Sequence, residues 1–262
     1  MKNRHGVVIL GAGNVASALA PVLDAAGYGI RQIFSRNLHN AEELASQLND
    51  AQPTDSLQSI VHDAEIYIVS LTDTAIAQTA QTLENTGGLW LHTSGGIPAE
   101  YLAPASGNYG VLYPLQTFSK GRTVDFAEVP LFIEGNSSGN LEKIRSIAEK
   151  ISRCVSEADS GKRLRLHAAA VFASNFVNYL WSNADNILRG DGESLAILYP
   201  LIKETLAKAE TITPFAAQTG PARRGDTQVT ERHVTVMTER QARLYRYIAS
   251  QIEETYLKKV PL

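Results

Sequence analysis

A glycine-rich turn close to the N-terminus constrains the fold of this chain more than any other feature. It directly follows a short, fully apolar run, Val7–Leu10, and opens a stretch with helical periodicity. The pattern is G-x-G-x-x-G/A, whose small residues permit a tight turn, approach of a pyrophosphate, and close packing of helix on strand. Its residues are Gly11, Ala12, Gly13, Asn14, Val15 and Ala16. Because a helix N-terminus attracts phosphates, the turn predicts a dinucleotide site.

Hydrophobic periodicity divides the chain into two predicted domains. Over residues 1–157, short apolar runs alternate with helical patterns, which indicates an α/β domain built on an open parallel sheet. Over residues 158–262 the strand signals stop, and we expect a smaller all-helical domain. Its predicted helices are Leu164–Leu188, Ser194–Ile212 and Thr238–Leu257, with a turn-rich segment at Thr213–Val229.

Composition excludes several classes of protein. The 262 residues are 44% hydrophobic with a net charge of −3, which suits a globular chain and argues against a nucleic-acid binder. The single cysteine excludes an internal disulfide, and we predict no metal site. The two uncharged stretches, His5–Leu23 and Leu166–Ala184, contain too many glycines or hydrogen-bonding side chains for a signal core or a membrane span. We therefore expect a cytoplasmic protein.

The residues after the second predicted strand indicate which cofactor binds. An acidic residue there would accept hydrogen bonds from the ribose of NAD, but the chain has Ser35, Arg36 and Asn37 instead. A hydroxyl and a guanidinium suit a 2′-phosphate, so we predict NADP(H). The other predicted cofactor contacts lie in the glycine turn and at the carboxyl ends of later strands, where a capping role is the alternative for the hydroxyls. They are Gly11, Gly13, Asn14, Val15, Thr72, Thr93 and Ser94.

The long predicted helix carries the candidate substrate site. At 100° per residue, His167, Ser174, Asn178 and Asp185 lie within about 20° of one line, with Asn175 about 80° to one side. Such a polar stripe on an apolar helix faces solvent, a subunit contact or a cleft. We predict that His167 is the proton donor and that Asn175 orients the substrate or the imidazole; Ser174 and Asn178 are predicted to contact substrate. The alternative for His167 is a structural histidine.

A second candidate lies in the turn-rich segment, where Arg223 and Arg224 follow Gly220 and precede Gly225. Arginines in a rigid turn bind carboxylates or phosphates, so Arg224 is predicted to bind an anionic group of the substrate. Residues 161–262 carry 14 Lys and Arg against 10 Asp and Glu, which agrees with an anionic ligand, although solvated helix faces explain it equally. The alternative is a plain inter-helix loop capped by Asp226 and Thr227.

Taken in order, several motifs resemble a bacterial Rossmann-like family of NADP oxidoreductases whose substrate is unassigned. The motifs are GAGNVA at 11–16, HTSG at 92–95, YPLQTF at 113–118, HAAAVFASNF at 167–176 and TGPARRGD at 219–226. Residues 6–157 are also similar to pyrroline-5-carboxylate reductase and to deazaflavin-dependent NADP oxidoreductases. The resemblance implies a Rossmann-type NADP-binding domain and a helical domain that often dimerises.

These observations predict an NADP(H)-dependent oxidoreductase that transfers hydride to a small carbonyl or imine substrate. Related hydroxyacid dehydrogenases place a catalytic lysine on the long helix, but here no lysine occurs between Lys162 and Lys203, which leaves His167 as the proton source. The alternative is an NADP-responsive regulatory protein without turnover. We also expect a homodimer formed through the helical domain, whose first helix carries Phe172, Phe176, Tyr179, Leu180 and Trp181.

Overall fold

The computed structural model describes residues 6–259. The chain divides into two compact units between Phe172 and Ala173. The first unit contains the sheet, and the second is helical. No helix within residues 6–259 is long and apolar enough to cross a membrane.

The first unit is an eight-stranded sheet in the order β3-β2-β1-β4-β5-β6-β7-β8. All neighbouring strands run parallel except β6 and β7, which are antiparallel. The strands are β1 (Val7–Leu10), β2 (Ile30–Phe34), β3 (Gln52–Thr54), β4 (Ile66–Val69), β5 (Leu89–His92), β6 (Asn108–Pro114), β7 (Leu131–Gly135) and β8 (Val155–Glu157). The predicted fold class is confirmed.

The central strand β1 is buried on both faces, which explains its unbroken apolar sequence. Val7 and Ile9 pack into one hydrophobic cluster together with helix residues such as Leu19. Val8 and Leu10 point the other way, into a cluster that includes Trp90. The turn that follows β1 is therefore anchored by a strand held from both sides.

Besides three short 3₁₀-helices, five α-helices flank the sheet in the described part of the first unit. They are α1 (Asn14–Ala25), α2 (Leu38–Ala45), α3 (Asp73–Thr82), α4 (Ser138–Glu149) and α5 (Ser160–Ala170). Three of them begin at a side chain that accepts a backbone hydrogen bond, namely Asn37 for α2, Ser137 for α4 and Asp159 for α5.

The long helix predicted at Leu164–Leu188 is wrong in one respect. A π-helical turn, Val171–Phe176, separates α5 from the next α-helix. A π-turn bonds residue i to i+5 and is wider than an α-turn, so the angular projection at 100° per residue does not extend across it. The 100° projection therefore applies within α5 and within the next α-helix separately, and the predicted line from His167 to Ser174, Asn178 and Asp185 stays a prediction.

The second unit consists of short and medium helices. They are α6 (Val177–Leu188), α7 (Tyr199–Thr211), α8 (Pro214–Ala217), α9 (Pro221–Arg224), α10 (Thr227–Val234) and α11 (Glu239–Tyr256). The segment predicted to be rich in turns, Thr213–Val229, instead contains α8, α9 and the start of α10. Its prolines begin helices rather than interrupt them, because proline is well suited to the first helical turn.

One buried charge fixes α5 on the sheet of the first unit. The side chain of Arg163 is fully buried. Its guanidinium donates to the carboxylate of Glu134 on β7, to the carbonyl oxygen of Ile97 at 2.5 Å and to that of Ala158 at 3.3 Å. A buried charge is tolerated only when it is paired in this way, so these contacts determine where α5 lies.

Replacing Arg163 with alanine is expected to lower the free energy of unfolding by about 3–5 kcal/mol, because it leaves Glu134 without its partner. Arg153 provides the matched control, since it pairs with Glu128 but its side chain is 72% exposed. Arg153→Ala is expected to cost at most about 1 kcal/mol. Urea unfolding of both variants measures the difference, and equal losses would contradict a structural role for the buried pair.

Candidate active site

The glycine turn has the geometry that a bound pyrophosphate needs. Gly11 has φ +124°, and a Cβ there would lie 2.2 Å from the carbonyl oxygen of Ser70. Only glycine fits this position, and its N–H donates to the carbonyl oxygen of Phe34 at 2.8 Å. Gly13 is exposed, and a Cβ there would meet nothing within 4 Å. The absence of a side chain at Gly13 thus leaves the backbone open to a ligand.

Helix α1 begins at this open backbone. Gly13 is its N-cap and provides no side-chain cap, and the first turn contains no acidic residue. Asn14 is exposed and Val15 is half-buried. The N-terminus of α1 therefore presents uncapped N–H groups and a positive dipole end, which suits the pyrophosphate of a dinucleotide.

The end of β2 presents an unpaired cation beside this turn. Arg36 is exposed, and no hydrogen bond or ion pair joins its side chain to any other residue within 6–259. Ser35 is half-buried, and its Oγ accepts a hydrogen bond from the N–H of Asn37 at 3.3 Å. No acidic side chain stands in this Ser-Arg-Asn segment, so its residues fit a 2′-phosphate.

The predicted hydroxyl contacts differ in their surroundings. Thr93 is buried and its Oγ1 donates to Ser70 Oγ at 3.2 Å. Ser94 Oγ donates to the Asp73 carboxylate at 2.6 Å and accepts from the N–H of Gly96 at 3.0 Å. Thr72 is exposed at the N-cap of α3. Thr93 and Ser94 therefore already have structural hydrogen bonds, and the cofactor role of all three remains a prediction.

His167 lies against the sheet at the carboxyl ends of β5 and β6. Its Nδ1 is 3.0 Å from the hydroxyl of Tyr113, which is next to last in β6. The loop after β5 passes close by, because a Cβ on Gly95 would lie 2.8 Å from His167 Cβ and 2.9 Å from Tyr113 Oη. Open α/β sheets bind ligands at these strand ends. His167 is thus in the first unit, with the glycine turn.

Sequence reasoning missed Tyr113 as a site residue. Tyr113 belongs to the YPLQTF motif, which the resemblance already singles out, and that motif was the available signal. His92, in the neighbouring motif, is fully buried, and its Nδ1 accepts from the N–H of Ser94. Burial lowers the pKa of His92 to about 3, aided by the charge of Arg163 and opposed by the Pro98 carbonyl. His92 is therefore neutral at physiological pH and serves to order the loop.

The remaining predicted residues belong to the π-turn and the second unit. Ser174 and Asn175 lie in the π-turn and Asn178 in α6; Ser174 is half-buried, and the two asparagines are exposed. Arg224 is exposed at the end of α9. Their roles in substrate binding remain predictions.

Two neighbouring residues of that unit are structural. Arg223 donates to the carbonyl oxygen of Gln218 and lies 5.2 Å from the centre of the Tyr256 ring. Asp226 accepts from the N–H of Val229 at 3.2 Å and caps α10, as the loop alternative anticipates. Arg223 and Asp226 are therefore engaged in holding the segment that carries Arg224.

Comparison with known proteins agrees with this geometry. The family model described as NADP oxidoreductase coenzyme F420-dependent matches residues 6–89, and a domain of unknown function, DUF2520, matches residues 129–252. No curated protein matches the chain. The crystal structure of a putative NADP oxidoreductase from Bacteroides fragilis is 38% identical with a TM-score of 0.91, over 95% of this chain and 98% of that one.

More distant solved structures share the fold. A reductive aminase from Aspergillus terreus in complex with NADPH and ethyl levulinate is 15% identical, with a TM-score of 0.71, over 97% of this chain and 94% of that one. An imine reductase from Myxococcus stipitatus in complex with NADP+ is 19% identical, with a TM-score of 0.64, over 95% and 93%.

The sheet, the glycine turn and these matches define a Rossmann-fold oxidoreductase. The chain belongs to the family of NADP oxidoreductases that includes the Bacteroides fragilis protein. The predicted family, enzyme class and cofactor, NADP(H), are thereby confirmed.

The two glycines of the turn provide a matched pair of variants. Gly11→Ala is expected to lower the free energy of unfolding by about 1–3 kcal/mol, because it forces a side chain into a backbone conformation that favours glycine and against Ser70. Gly13→Ala is expected to change it by less than about 0.5 kcal/mol and to weaken NADPH about tenfold or more, since the methyl group occupies the approach of the pyrophosphate. Thermal unfolding measures the change in stability of both variants, and NADPH titration measures the change in affinity. A Gly13→Ala protein with unchanged NADPH affinity would contradict pyrophosphate binding at this turn.

Proposed function

We propose that this protein is an NADP(H)-dependent reductase that transfers hydride to a small carbonyl or imine substrate. The observation that carries the proposal is the contact between His167 and Tyr113 at the carboxyl ends of β5 and β6, in the same unit as the glycine turn. Reduction of a carbonyl or imine needs a proton as well as a hydride, and an ionisable side chain at the strand ends can donate that proton. The imine class is favoured by the fold shared with an imine reductase and a reductive aminase.

The first unit would hold the cofactor through its backbone and one cation. The pyrophosphate would bind at Gly11, Gly13, Asn14 and Val15, and the 2′-phosphate at Ser35 and Arg36. Thr72, Thr93 and Ser94, at the ends of strands, would contact the ribose or nicotinamide. When bound, the cofactor supplies the hydride, while the protein positions it and excludes water.

His167 is the proposed proton donor. Histidine is the side chain that exchanges protons near neutral pH, and the neutral, buried His92 is excluded from this role. No lysine lies between Lys162 and Lys203 to replace it. We assign the orientation of substrate or imidazole to Asn175, other substrate contacts to Ser174 and Asn178, and an anionic substrate group to Arg224.

We also propose that the protein is a homodimer through its helical unit. Within residues 173–259, Ala222 and Ala242 are the only hydrophobic residues that are buried. Large apolar side chains of that unit are exposed instead, and among them are Tyr179, Leu180, Trp181, Leu201, Leu206 and Tyr247. A unit of this size needs a core, and an extended apolar surface marks an interface. A second copy of the chain presents the same surface in return.

An apolar groove of about 350 Å³ runs through this surface. Leu180, Ile187, Leu244 and Ile248 are among its lining residues. Two of its polar members have partners within the unit: Gln241 accepts hydrogen bonds from Thr238, the N-cap of α11, and the Tyr245 hydroxyl is 2.8 Å from His233 Nδ1. The groove therefore offers apolar contact and suits the exposed apolar helix of a second copy.

Cofactor preference is tested by Arg36→Asp. The substitution adds repulsion against the 2′-phosphate, which NADH lacks, so it is expected to weaken NADPH binding by about tenfold or more and leave NADH nearly unchanged. Dissociation constants for both cofactors, measured by fluorescence titration, decide this. Equal changes for the two cofactors would refute the role of Arg36.

The catalytic role is tested by His167→Ala in a screen of aldehydes, ketones and cyclic imines that follows NADPH absorbance. The variant is expected to lose about 10²–10⁴-fold in kcat while NADPH affinity stays unchanged, because general acid catalysis is worth that factor. His62→Ala, an exposed histidine of the same unit, is the control and is expected to keep wild-type turnover. Wild-type turnover in His167→Ala would eliminate the proton-donor role.

Sedimentation velocity tests the dimer. At micromolar concentration the wild type is expected to sediment with twice the mass of one chain. Leu180→Glu, which places a charge in the apolar groove, is expected to shift the equilibrium toward monomer. A wild-type monomer at this concentration would disprove the proposed interface.

A further inference from the structure

The Tyr113–His167 contact joins two elements that are 54 residues apart in the chain. Besides the 3.0 Å separation between Oη and Nδ1, the two rings meet edge to face, with centroids 6.0 Å apart and an interplanar angle of 76°. The tyrosine ring packs in turn on Phe132 of the neighbouring strand β7. Because ring packing and a hydrogen bond act together, the imidazole has a defined orientation.

The two partners differ in their access to solvent. Tyr113 is only 7% exposed, whereas His167 is exposed. Nδ1 faces the hydroxyl of Tyr113, and among residues 6–259 no hydrogen bond to Nε2 occurs. Nε2 is thus the nitrogen that a substrate or a water molecule can reach.

The hydroxyl of Tyr113 can donate to or accept from Nδ1, depending on the protonation of the ring. Within the described part of the chain, His167 Nδ1 is the one hydrogen-bond partner of Tyr113 Oη. With neutral imidazole, donation from the hydroxyl to Nδ1 uses both the O–H and the bare ring nitrogen, which places the ring proton on Nε2. When the ring is an imidazolium, Nδ1–H donates to Oη instead. The hydroxyl can therefore form a hydrogen bond with Nδ1 in both protonation states of the imidazole ring.

The groups around the pair leave this arrangement intact. Burial raises the pKa of Tyr113 above its ordinary value, although the charge of Arg163 opposes the shift, so the hydroxyl keeps its proton. The charge of Arg163 is balanced by Glu134, and His92 is neutral. The Asp73 carboxylate, at the start of α3, is bonded to Ser94.

We propose that Tyr113 is a positioning residue that makes Nε2 of His167 the atom that gives and regains the proton. The inference rests on the proposed reductase function. As the substrate carbon accepts hydride with its two electrons, the His167 Nε2–H bond breaks and leaves its electron pair on nitrogen. An O–H or N–H bond forms on the substrate. The step starts from the imidazolium, so the ring is left neutral with its proton on Nδ1, which donates to Tyr113 Oη. After product leaves, solvent returns a proton to Nε2. In the resting neutral ring, the proton is on Nε2 and the hydroxyl turns to donate to Nδ1.

Gly95 provides a second way to perturb the same pair. A Cβ there would lie 2.7 Å from Tyr113 Cζ and 2.8 Å from His167 Cβ. The φ angle of Gly95 is not positive, so alanine can adopt its backbone conformation and the effect is steric. Gly95→Ala therefore separates the two rings while both functional groups remain present.

The test is ¹⁵N NMR of histidine-labelled full-length protein, which needs no substrate. His167→Asn identifies the His167 signal. In the neutral form, wild type is expected to show Nε2 protonated and Nδ1 as a bare acceptor, while Tyr113→Phe and Gly95→Ala show shifts averaged between the two tautomers. Tyr109→Phe, a half-buried tyrosine on the same strand, is the control and is expected to match wild type. Averaged shifts in wild type, or unchanged shifts in Tyr113→Phe, would overturn the proposal.

Kinetics provide the second readout once a substrate is identified. Tyr113→Phe is expected to lower kcat about tenfold, less than loss of the acid itself, with NADPH affinity unchanged. An unchanged kcat would count against the proposal. If the wild type reduces no substrate, the proposed function fails, whereas the NMR result still decides whether Tyr113 sets the tautomer.

Discussion

The buried guanidinium of Arg163 is the interaction on which the position of the candidate active site depends. It lies on the inner face of α5, and removing a charge from water is costly unless partners replace the solvent. Glu134 and the carbonyl oxygens of Ile97 and Ala158 provide that replacement. Residues four apart share a helix face, so fixing Arg163 also directs His167 toward the sheet, where it contacts Tyr113.

The two functions of the first unit are built from different parts of the chain. Backbone geometry forms the dinucleotide site, because Gly11 permits the turn and Gly13 leaves the helix N-terminus open. Side chains form the proposed proton-transfer site, because imidazole and hydroxyl groups exchange or orient protons and backbone groups do not. Both proposed sites lie at the carboxyl ends of strands, where open α/β sheets bind ligands.

Local patterns in the sequence predicted much of this arrangement. Val7–Leu10 and the glycines after it identify a buried strand and a phosphate-binding turn, because both depend on neighbouring residues alone. The contact between Tyr113 and His167 could not be predicted in this way, since it requires the register of α5 on the sheet. The π-turn could not be predicted either, because a single wider turn barely changes the 3.6-residue spacing of apolar residues that indicates a helix. Strands β3 and β8 are three residues long and have no buried position, so they lack an apolar run.

Transfer of deuterium from NADPH labelled at nicotinamide C4 is the most direct measurement of the central claim. The purified protein would be incubated with the labelled cofactor and a panel of ketones and cyclic imines, and the products analysed by mass spectrometry. The account predicts deuterium on the carbon of the former C=O or C=N group in at least one product. Tight binding of NADPH with no deuterium in any product would contradict it and would favour a protein that binds the cofactor without turnover.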